Sequence, residues 1–170
     1  MPVSTAIGTT ARRARLRRNA PRATGMPRVD ASFDFSRARR AYILGRVVRW
    51  LVPWRASRGR PPAVCGTPAL ARPGTRLRVV PLAAVVGTLE PTADFDARFR
   101  PATNRLRTRW ERVALAHRED RPLPPITLLE RADGYYVVDG RHRVSVARAL
   151  ALPDINAWVI PVMPSPLRCA

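Results

Sequence analysis

Apolar and polar positions alternate in several short runs of the second half of the chain, whereas elsewhere apolar residues recur every three or four positions. The run at residues 77–81 is predicted as a strand and residues 82–86 as a short turn of helix. Residues 87–101 show no period and carry three acidic side chains, a pattern typical of a long loop. These segments open the predicted compact domain.

A helical period begins after this loop. Proline is favoured in the first turn of a helix, so Pro101 is predicted to open a helix that runs to about Arg118. Four apolar residues at helical spacing are predicted to form its buried side: Leu106, Trp110, Val113 and Ala114.

Two strands are then predicted to pair as a hairpin. Residues 123–130 and 135–138 contain apolar, β-branched and aromatic residues, and the Asp-Gly pair at 133–134 is a strong turn signal. A further helix follows the hairpin, and residues 155–160 read as a last strand after Pro153. The order strand, helix, hairpin, helix, strand predicts an α+β fold with a small mixed sheet.

The first half of the chain is organised differently. Residues 36–54 are predicted as an amphipathic helix, with Ser36 as its cap, an apolar residue every three or four positions, and Pro53 near its end. Arginines lie at several of the remaining positions of this predicted helix. It could lie on a membrane surface, pack on a partner, or dock on its own domain, and docking is the favoured interpretation because small domains need such cover.

Composition sets the remaining boundaries. Residues 1–35 mix Ser, Thr, Pro and Ala with a dense arginine cluster and are predicted as a disordered basic arm. Residues 55–74 are rich in Pro, Gly and Arg and are predicted as a linker. The compact domain is then expected at residues 75–161, followed by a short tail at 162–170.

The formal net charge is +19, and it is spread unevenly. Residues 1–75 hold 16 arginines and two acidic residues, whereas residues 76–170 hold 15 arginines and ten acidic residues. The chain has no lysine, which indicates a genome whose codon bias favours Arg and Ala. Because a basic segment attracts phosphates whatever its origin, residues 1–60 are expected to associate with DNA in a salt-dependent way.

Other classes of protein find little support in the sequence. Cys65 and Cys169 are isolated, so neither a zinc site nor a disulfide framework can be derived from them. Apolar runs do not approach the roughly 20 residues of a membrane span. A cytoplasmic protein, with nucleoid association open, is expected, and a homodimer is left open.

The connection between the hairpin and the next helix is the main candidate for chemistry. An apolar strand ends at Asp139, Gly140 follows, and helical spacing resumes at Val144. Glycine lets a ligand approach the main chain, and the amides of residues 141–143 would be free donors at the positive end of a helix dipole. Arg141 and Arg143 add two charges, so the turn predicts an anion site.

The same residues resemble the signature turn of the ParB/sulfiredoxin superfamily, in its uncharacterised Asp-Gly-x-His-Arg branch. Residues 139–143 read Asp-Gly-Arg-His-Arg and are followed by Val-Ser-Val-Ala-Arg-Ala-Leu. Upstream, residues 77–82 and Val-Val-Gly-Thr at 85–88 resemble the opening strand and first ligand-facing loop of ParB-like proteins. The resemblance covers about residues 76–160 and implies a compact ParB/sulfiredoxin-like domain after the basic extension.

The resemblance also implies a ligand. In ParB proteins the matching turn reads Gly-Glu-Arg-Arg and holds nucleotide phosphates, so a nucleoside triphosphate, CTP or ATP, with Mg²⁺ is expected. In sulfiredoxins it reads Gly-Cys-His-Arg, and Arg141 occupies the position of that catalytic cysteine, which argues against a sulfiredoxin reaction. Free-serine kinases carry Asp-Gly-His-His-Arg, whose Asp matches Asp139 and keeps phosphotransfer open.

Individual roles follow with several alternatives. Gly140, Arg141, His142 and Arg143 are expected to bind phosphate, with Arg143 as the bidentate contact; His142 contacts phosphate or holds the loop. Asp139 could order Arg143, bind metal, accept a proton or cap the helix, and Glu90 could be a base or metal ligand. By fold analogy Arg105 or Arg109 reaches the same phosphates. Thr88 belongs to the loop that resembles the first ligand-facing loop of ParB-like proteins, so it is also expected to bind the nucleotide. The acidic loop itself could equally be anchored by Phe95.

Three functions remain open at this stage. The first is a nucleotide-binding regulatory module whose basic extension touches DNA. The second is a small Mg²⁺-dependent phosphotransferase or nucleotide hydrolase that uses Asp139 and Glu90. The third is a basic nucleic-acid-binding scaffold with a vestigial pocket.

Overall fold

The computed structural model describes residues 23–51 and 74–161. Within these residues the chain forms three helices and five strands, interrupted by two short 3₁₀ turns at Leu82–Ala84 and Asn104–Leu106. The elements follow in this order: α1 Pro27–Leu51, β1 Arg76–Pro81, β2 Val85–Thr88, α2 Arg107–Arg118, β3 Ile126–Arg131, β4 Gly134–Asp139, α3 Arg141–Ala149 and β5 Asp154–Pro161.

The five strands form one mixed sheet in the order β1-β5-β3-β4-β2. The β1–β5 and β3–β4 pairs are antiparallel, while β2–β4 and β3–β5 are parallel. This confirms the predicted α+β class, and the hairpin closes at residues 131–134 as the Asp-Gly pair indicated.

The prediction for residues 82–88 was incomplete. The turn of helix shrinks to Leu82–Ala84, and the next four residues form β2, which had been divided between that turn and the loop. β2 is only Val-Val-Gly-Thr, too short to show a period of its own. It forms because β4 supplies hydrogen-bonding partners from some fifty residues further along the chain.

The two long helices begin at other residues than predicted. Pro101 lies in an isolated bridge with Phe95, and α2 proper starts at Arg107 after the second 3₁₀ turn. α1 starts at Pro27, nine residues before Ser36, so residues 27–35 are helical although they were assigned to a disordered arm. Apolar residues at 29, 31, 33 and 35 alternate, which hides the helical period.

The first half of α1 docks on its own domain. Phe35 is buried and meets the Trp110 indole edge-on, with ring centroids 5.6 Å apart. Arg118 at the end of α2 pairs with two buried carboxylates of α1, Asp34 at 2.6 Å and Asp30 at 3.4 Å. The sequence left three surfaces open for this helix: a membrane, a partner or its own domain. The structure shows that its first half contacts its own domain. Its last turns remain open, since Trp50 is 82% exposed.

The main core lies between one face of the sheet and α3. Its buried members come from every strand, from α3, from the first 3₁₀ turn and from the loop before α2: Val80, Leu82, Val85, Phe99, Ile126, Leu128, Val137, Val144, Ala147, Ala157 and Val159. Behind α3, the buried Trp110 of α2 donates from Nε1 to Ser145 Oγ at 2.8 Å. The hydrogen bond joins α2 to α3 and satisfies two polar groups that burial would otherwise leave unpaired.

The remaining sequence predictions concern segments outside the described residues: the arm before residue 23, the linker at 55–73, the tail and both cysteines. Among the helices that are described, none has the length and apolar character needed to cross a membrane.

Candidate functional site

The carboxyl ends of the parallel strands β2 and β4 lie side by side. Thr88 pairs with Val137, and the N–H of Leu89 donates to the carbonyl of Val137 at 2.9 Å. The loop that begins at Glu90 and the turn at Gly140 therefore leave the sheet at the same edge. Ligands of open mixed and parallel sheets bind outside such strand ends.

Gly140 adopts a left-handed conformation, with φ of 99°, between β4 and α3. A side chain at this position would place its Cβ in overlap with Ile126 Cγ2 and 3.2 Å from Arg143 Nε. Both the backbone angle and the space thus require glycine. The first turn of α3 therefore packs closely against Ile126, the first residue of β3.

The amino terminus of α3 carries uncapped donors. Gly140 caps the helix without a side-chain hydrogen bond, and the first turn contains no acidic residue. The first main-chain hydrogen bond of the helix runs from the N–H of Val144 to the carbonyl of Gly140 at 3.0 Å. The N–H groups that precede Val144 and the positive end of the dipole therefore face the turn, as predicted for an anion site.

Arg143 has a different position from the one expected of a phosphate ligand. Its Nη1 donates to the carbonyls of Pro124 and Pro125, and its Nη2 pairs with Asp139 at 2.6 Å. The side chain is only 15% exposed. Arg143 thus ties the turn to the segment before β3, and of the four roles considered for Asp139 the structure shows the first, the ordering of Arg143.

Arg141 and Glu90 lie at the mouth of the same turn. The Arg141 guanidinium is 3.8 Å from a Glu90 carboxylate oxygen, and the two side chains are 32% and 74% exposed. A pair this long and this open is held weakly. Arg141 is therefore free to exchange Glu90 for a stronger anion, which makes it the better candidate for a direct phosphate contact.

His142, in the first turn of α3, contacts Phe95 of the acidic loop. Its Nε2 is buried without a hydrogen-bond partner among the described residues, and its ring meets Phe95 edge-on at 5.2 Å. Burial lowers the pKa of His142 from its ordinary value; Arg109 and Arg141 lower it further, while Asp94 opposes them. Arg109 of α2 is thus close enough to act on the same imidazole as Arg141.

The two remaining candidates, Arg105 and Thr88, have defined contacts. Arg105 lies 4.0 Å from Asp94 and is 77% exposed, so its side chain is loosely held at the entrance. Thr88 is fully buried, and its hydroxyl donates to the carbonyl of Glu90 at 2.6 Å. Thr88 therefore shapes the loop from beneath instead of facing solvent.

The acidic loop is anchored by Phe95, as one interpretation of the sequence held, because Phe95 is buried against His142. Sequence reasoning missed the role of Asp96, which is buried and accepts from the N–H groups of Arg98 and Arg100 and from the Arg100 guanidinium. The spacing Asp96 to Arg100 was the only available signal, and it is common on protein surfaces.

The donor set at this edge fits a nucleotide-borne Mg²⁺. Within the described ranges, three or more His, Cys, Asp or Glu side chains do not come together as a metal site. Mg²⁺ that arrives with phosphates needs only one or two protein carboxylates, because phosphate oxygens and waters complete its shell. Glu90 and Asp139, which are 74% and 66% exposed, can supply them.

Comparison with known proteins adds little to this picture. No family model matches the chain, and no curated protein matches it. Among solved structures the chain is similar to a sulfiredoxin from Arabidopsis thaliana, with 20% identity, a TM-score of 0.39, and coverage of 51% of this chain and 86% of that one. A likeness of this strength supports no conclusion about function.

Proposed function

We propose that the protein is a ParB-like regulatory module that binds a nucleotide by its phosphates and associates with DNA through its basic N-terminal extension. One observation carries the nucleotide part of the proposal. An uncapped helix terminus behind an obligatory glycine meets a buried imidazole nitrogen without a partner, and two arginines act on that imidazole. The buried imidazole nitrogen is costly to leave unpaired, and an anion would be stabilised by the helix terminus and the two arginines.

The phosphates would be held by three kinds of donor. Main-chain N–H groups at the start of α3 point at the turn, Arg141 and Arg109 supply permanent charge, and His142 offers Nε2. Arg143 and Asp139 hold the turn in shape without contacting the ligand. Mg²⁺ would enter with the nucleotide, and CTP and ATP are both compatible with a site that reads only phosphates.

Calorimetric titration of the full chain with CTP, ATP and ADP, each with Mg²⁺, tests the proposal. We expect saturable binding of at least one nucleotide and a loss of about ten-fold or more in Arg141→Gln, since a charge-assisted contact contributes on the order of 1.5 kcal/mol. Arg112→Gln is the matched control, because it removes the same charge from an exposed position on α2.

Two outcomes would contradict the nucleotide site. Equal weakening by Arg141→Gln and Arg112→Gln would show that only the overall charge attracts the nucleotide. Absence of heat with all three nucleotides would leave the basic scaffold as the better function.

The DNA part needs a variant that spares the fold. Deleting residues 1–60 would remove α1, whose Phe35 and Asp34 pack on α2. The arginines at 12, 13, 15, 17 and 18 should instead be changed to glutamine, with fluorescence anisotropy on a DNA duplex at low and moderate salt as the measurement. We expect affinity and its salt dependence to fall together. A variant that binds as the parent does would contradict this part.

Phosphotransfer or hydrolysis at the same turn is the second candidate, because Glu90 is an exposed carboxylate 3.8 Å from Arg141. This candidate predicts that Glu90→Gln abolishes phosphate release from a bound nucleotide while calorimetric affinity survives. Turnover that is unchanged in Glu90→Gln would remove Glu90 from the reaction.

A further inference from the structure

A second concave site lies at the other end of α3, where α1 and residues 98–100 approach it. The cavity has a volume of about 480 Å³, within the usual range of small-molecule sites. Its walls include apolar side chains from all three segments: Ala38, Ala41, Phe99 and Ala149. The phosphate turn at Gly140 does not line this cavity, so an occupant here would be distinct from the nucleotide.

Four arginines also line this cavity: Arg37, Arg98, Arg100 and Arg148. The acids beside them are already engaged. Asp96 is buried and paired with Arg100, while Asp34 is buried and holds Arg37 and Arg118. The side chain of Arg98 is exposed, whereas its main-chain N–H is held by Asp96. These acids offset the charges of Arg37 and Arg100, whereas Arg98 and Arg148 form no ion pair among the described residues, so the cavity has an excess of positive charge around an apolar interior.

Arg148 supplies a charge that is partly withdrawn from water. Its Nη2 donates to the carbonyls of Leu82 at 3.1 Å and Val85 at 2.6 Å. These bonds use one nitrogen of a guanidinium that carries five N–H donors, so the side chain keeps donors for a further acceptor. Burial lowers the pKa of Arg148, against which the charge of Asp96 acts. An anion in the cavity would relieve that burial cost.

The wall opposite α1 is rigid. Phe99 is buried with a positive φ of 59°, its N–H donates to the carbonyl of Asp96 at 2.7 Å, and Arg148 lies over its ring at 4.9 Å. A bulky residue rarely holds this backbone conformation unless its surroundings impose it. The Asp96 hydrogen bonds to the main chain at residues 98–100 impose it here, so the cavity is preformed.

We propose that this cavity binds a small amphipathic carboxylate, whose apolar body lies against Phe99 and the alanines and whose carboxylate meets the arginines at the rim. An uncharged apolar ligand would supply no negative charge to pair with the partly buried Arg148 guanidinium. A polyphosphate would leave the apolar walls unoccupied. The combination of an apolar interior and a cationic rim therefore selects a ligand that has both parts.

The test uses decanoate as probe and decanol as its uncharged match, followed by two-dimensional NMR of the ¹⁵N-labelled full chain. We expect saturable shifts for decanoate at the amides of Phe99, Ser145 and Ala149, and weaker effects of decanol. Arg98→Gln should weaken decanoate about five-fold, as expected for an exposed charge pair, and the control Arg112→Gln should have little effect.

A cavity-filling variant gives an independent readout. Ala41→Leu adds apolar atoms inside the cavity and should abolish the decanoate shifts at Ser145 without lowering the thermal midpoint. Three results would overturn the proposal: decanol binding as well as decanoate, undiminished binding to Ala41→Leu, or shifts confined to the exposed apolar residues at 43–51 of α1.

Discussion

Arg143 and Asp139 form an ion pair at 2.6 Å across the turn that opens α3, and the same guanidinium donates to the carbonyls of Pro124 and Pro125. The arginine therefore connects the end of β4, the segment before β3 and the first turn of α3. Since those contacts engage both terminal nitrogens, we infer that Arg143 positions the turn. Under the proposed function, Arg141, one position after the glycine, contacts the phosphate.

This division of roles predicts different effects for the two arginines. Arg143→Ala should lower the free energy of unfolding by roughly 1–3 kcal/mol, because two carbonyls lose their donor. Arg141→Gln should change it by less than about 0.5 kcal/mol, as for an exposed side chain with one long contact. Urea unfolding of both variants provides the measurement. An Arg143→Ala protein as stable as the parent would show that the guanidinium does not hold the turn.

A second prediction follows from the two constraints on Gly140, its backbone angle and the lack of space for a side chain. Gly140→Ala should cost about 3 kcal/mol or more, since a positive φ and the overlap of the new Cβ with the Ile126 side chain both oppose it. Gly25 is a matched control, because it also has a positive φ of 86° but an added Cβ would meet nothing within 4 Å. Gly25→Ala should therefore cost only the backbone part, about 1 kcal/mol.

The steric part can be isolated by a double substitution. Ile126→Ala removes the atoms that would clash with a Cβ at residue 140, so the Gly140→Ala penalty should be smaller in that background. Strictly additive losses in urea unfolding would mean that the backbone angle alone imposes glycine.

Local signals account for the parts of the fold that the sequence predicted well. The hairpin depends on the Asp-Gly pair at 133–134, and the turn at Gly140 depends on a strand, a glycine and a helical period in direct succession. Contacts between distant residues account for what was missed. β2 exists because it pairs with β4, and Arg143 reaches Pro124 from nineteen positions away. No local sequence pattern identifies β4 as the partner of β2, or Pro124 as the partner of Arg143.

The same contrast applies to the site residues. Gly140 and His142 could be selected from a short motif because the motif itself sets their position. Phosphate binding is predicted for Arg143 from the resemblance and from the fit of a guanidinium to phosphate oxygens. The structure shows its contacts with the segment before β3 and with Asp139. The proximity of Arg109 to His142 follows from the packing of α2 on α3 through Trp110 and Ser145, which no local pattern reports.

The docking of α1 yields a third prediction. Arg118 is 11% exposed and is paired with Asp34 and Asp30, which are nearly inaccessible. Arg118→Gln removes the cation beside Asp30 and one of the two arginines that pair with Asp34, which keeps Arg37, so it should cost roughly 1–3 kcal/mol. Arg121→Gln breaks a pair with Glu119 of similar length, 2.7 Å, but at an exposed site, so it should cost less than about 1 kcal/mol.

Urea unfolding compares these two variants directly. A local loss of α1 docking would also appear as increased quenching of Trp110, because Phe35 covers one side of its indole. If Arg118→Gln and Arg121→Gln had equal effects, the contacts between α1 and α2 would not depend on the buried ion pairs.

The two histidines predict how stability depends on pH. Burial lowers the pKa of His117 and His142 from their ordinary value of 6.5, so the unfolded chain binds protons at a higher pH than the folded chain does. The free energy of unfolding should therefore be at its plateau above about pH 6.5 and should fall as the pH drops below it, until the folded histidines protonate as well. Carboxylates such as Asp30, whose pKa is lowered by the N–H of Thr24, act only in a more acidic range.

Nucleotide binding should reverse the effect at one histidine alone. A phosphate beside Nε2 would stabilise the imidazolium, so saturating nucleotide is expected to raise the pKa of His142 and leave that of His117 unchanged. Titration of the ring protons by NMR, with and without nucleotide, measures both groups in one sample, and His117 is the internal control. An identical shift of both pKa values would indicate a general charge effect, and an unchanged His142 would place the phosphates elsewhere.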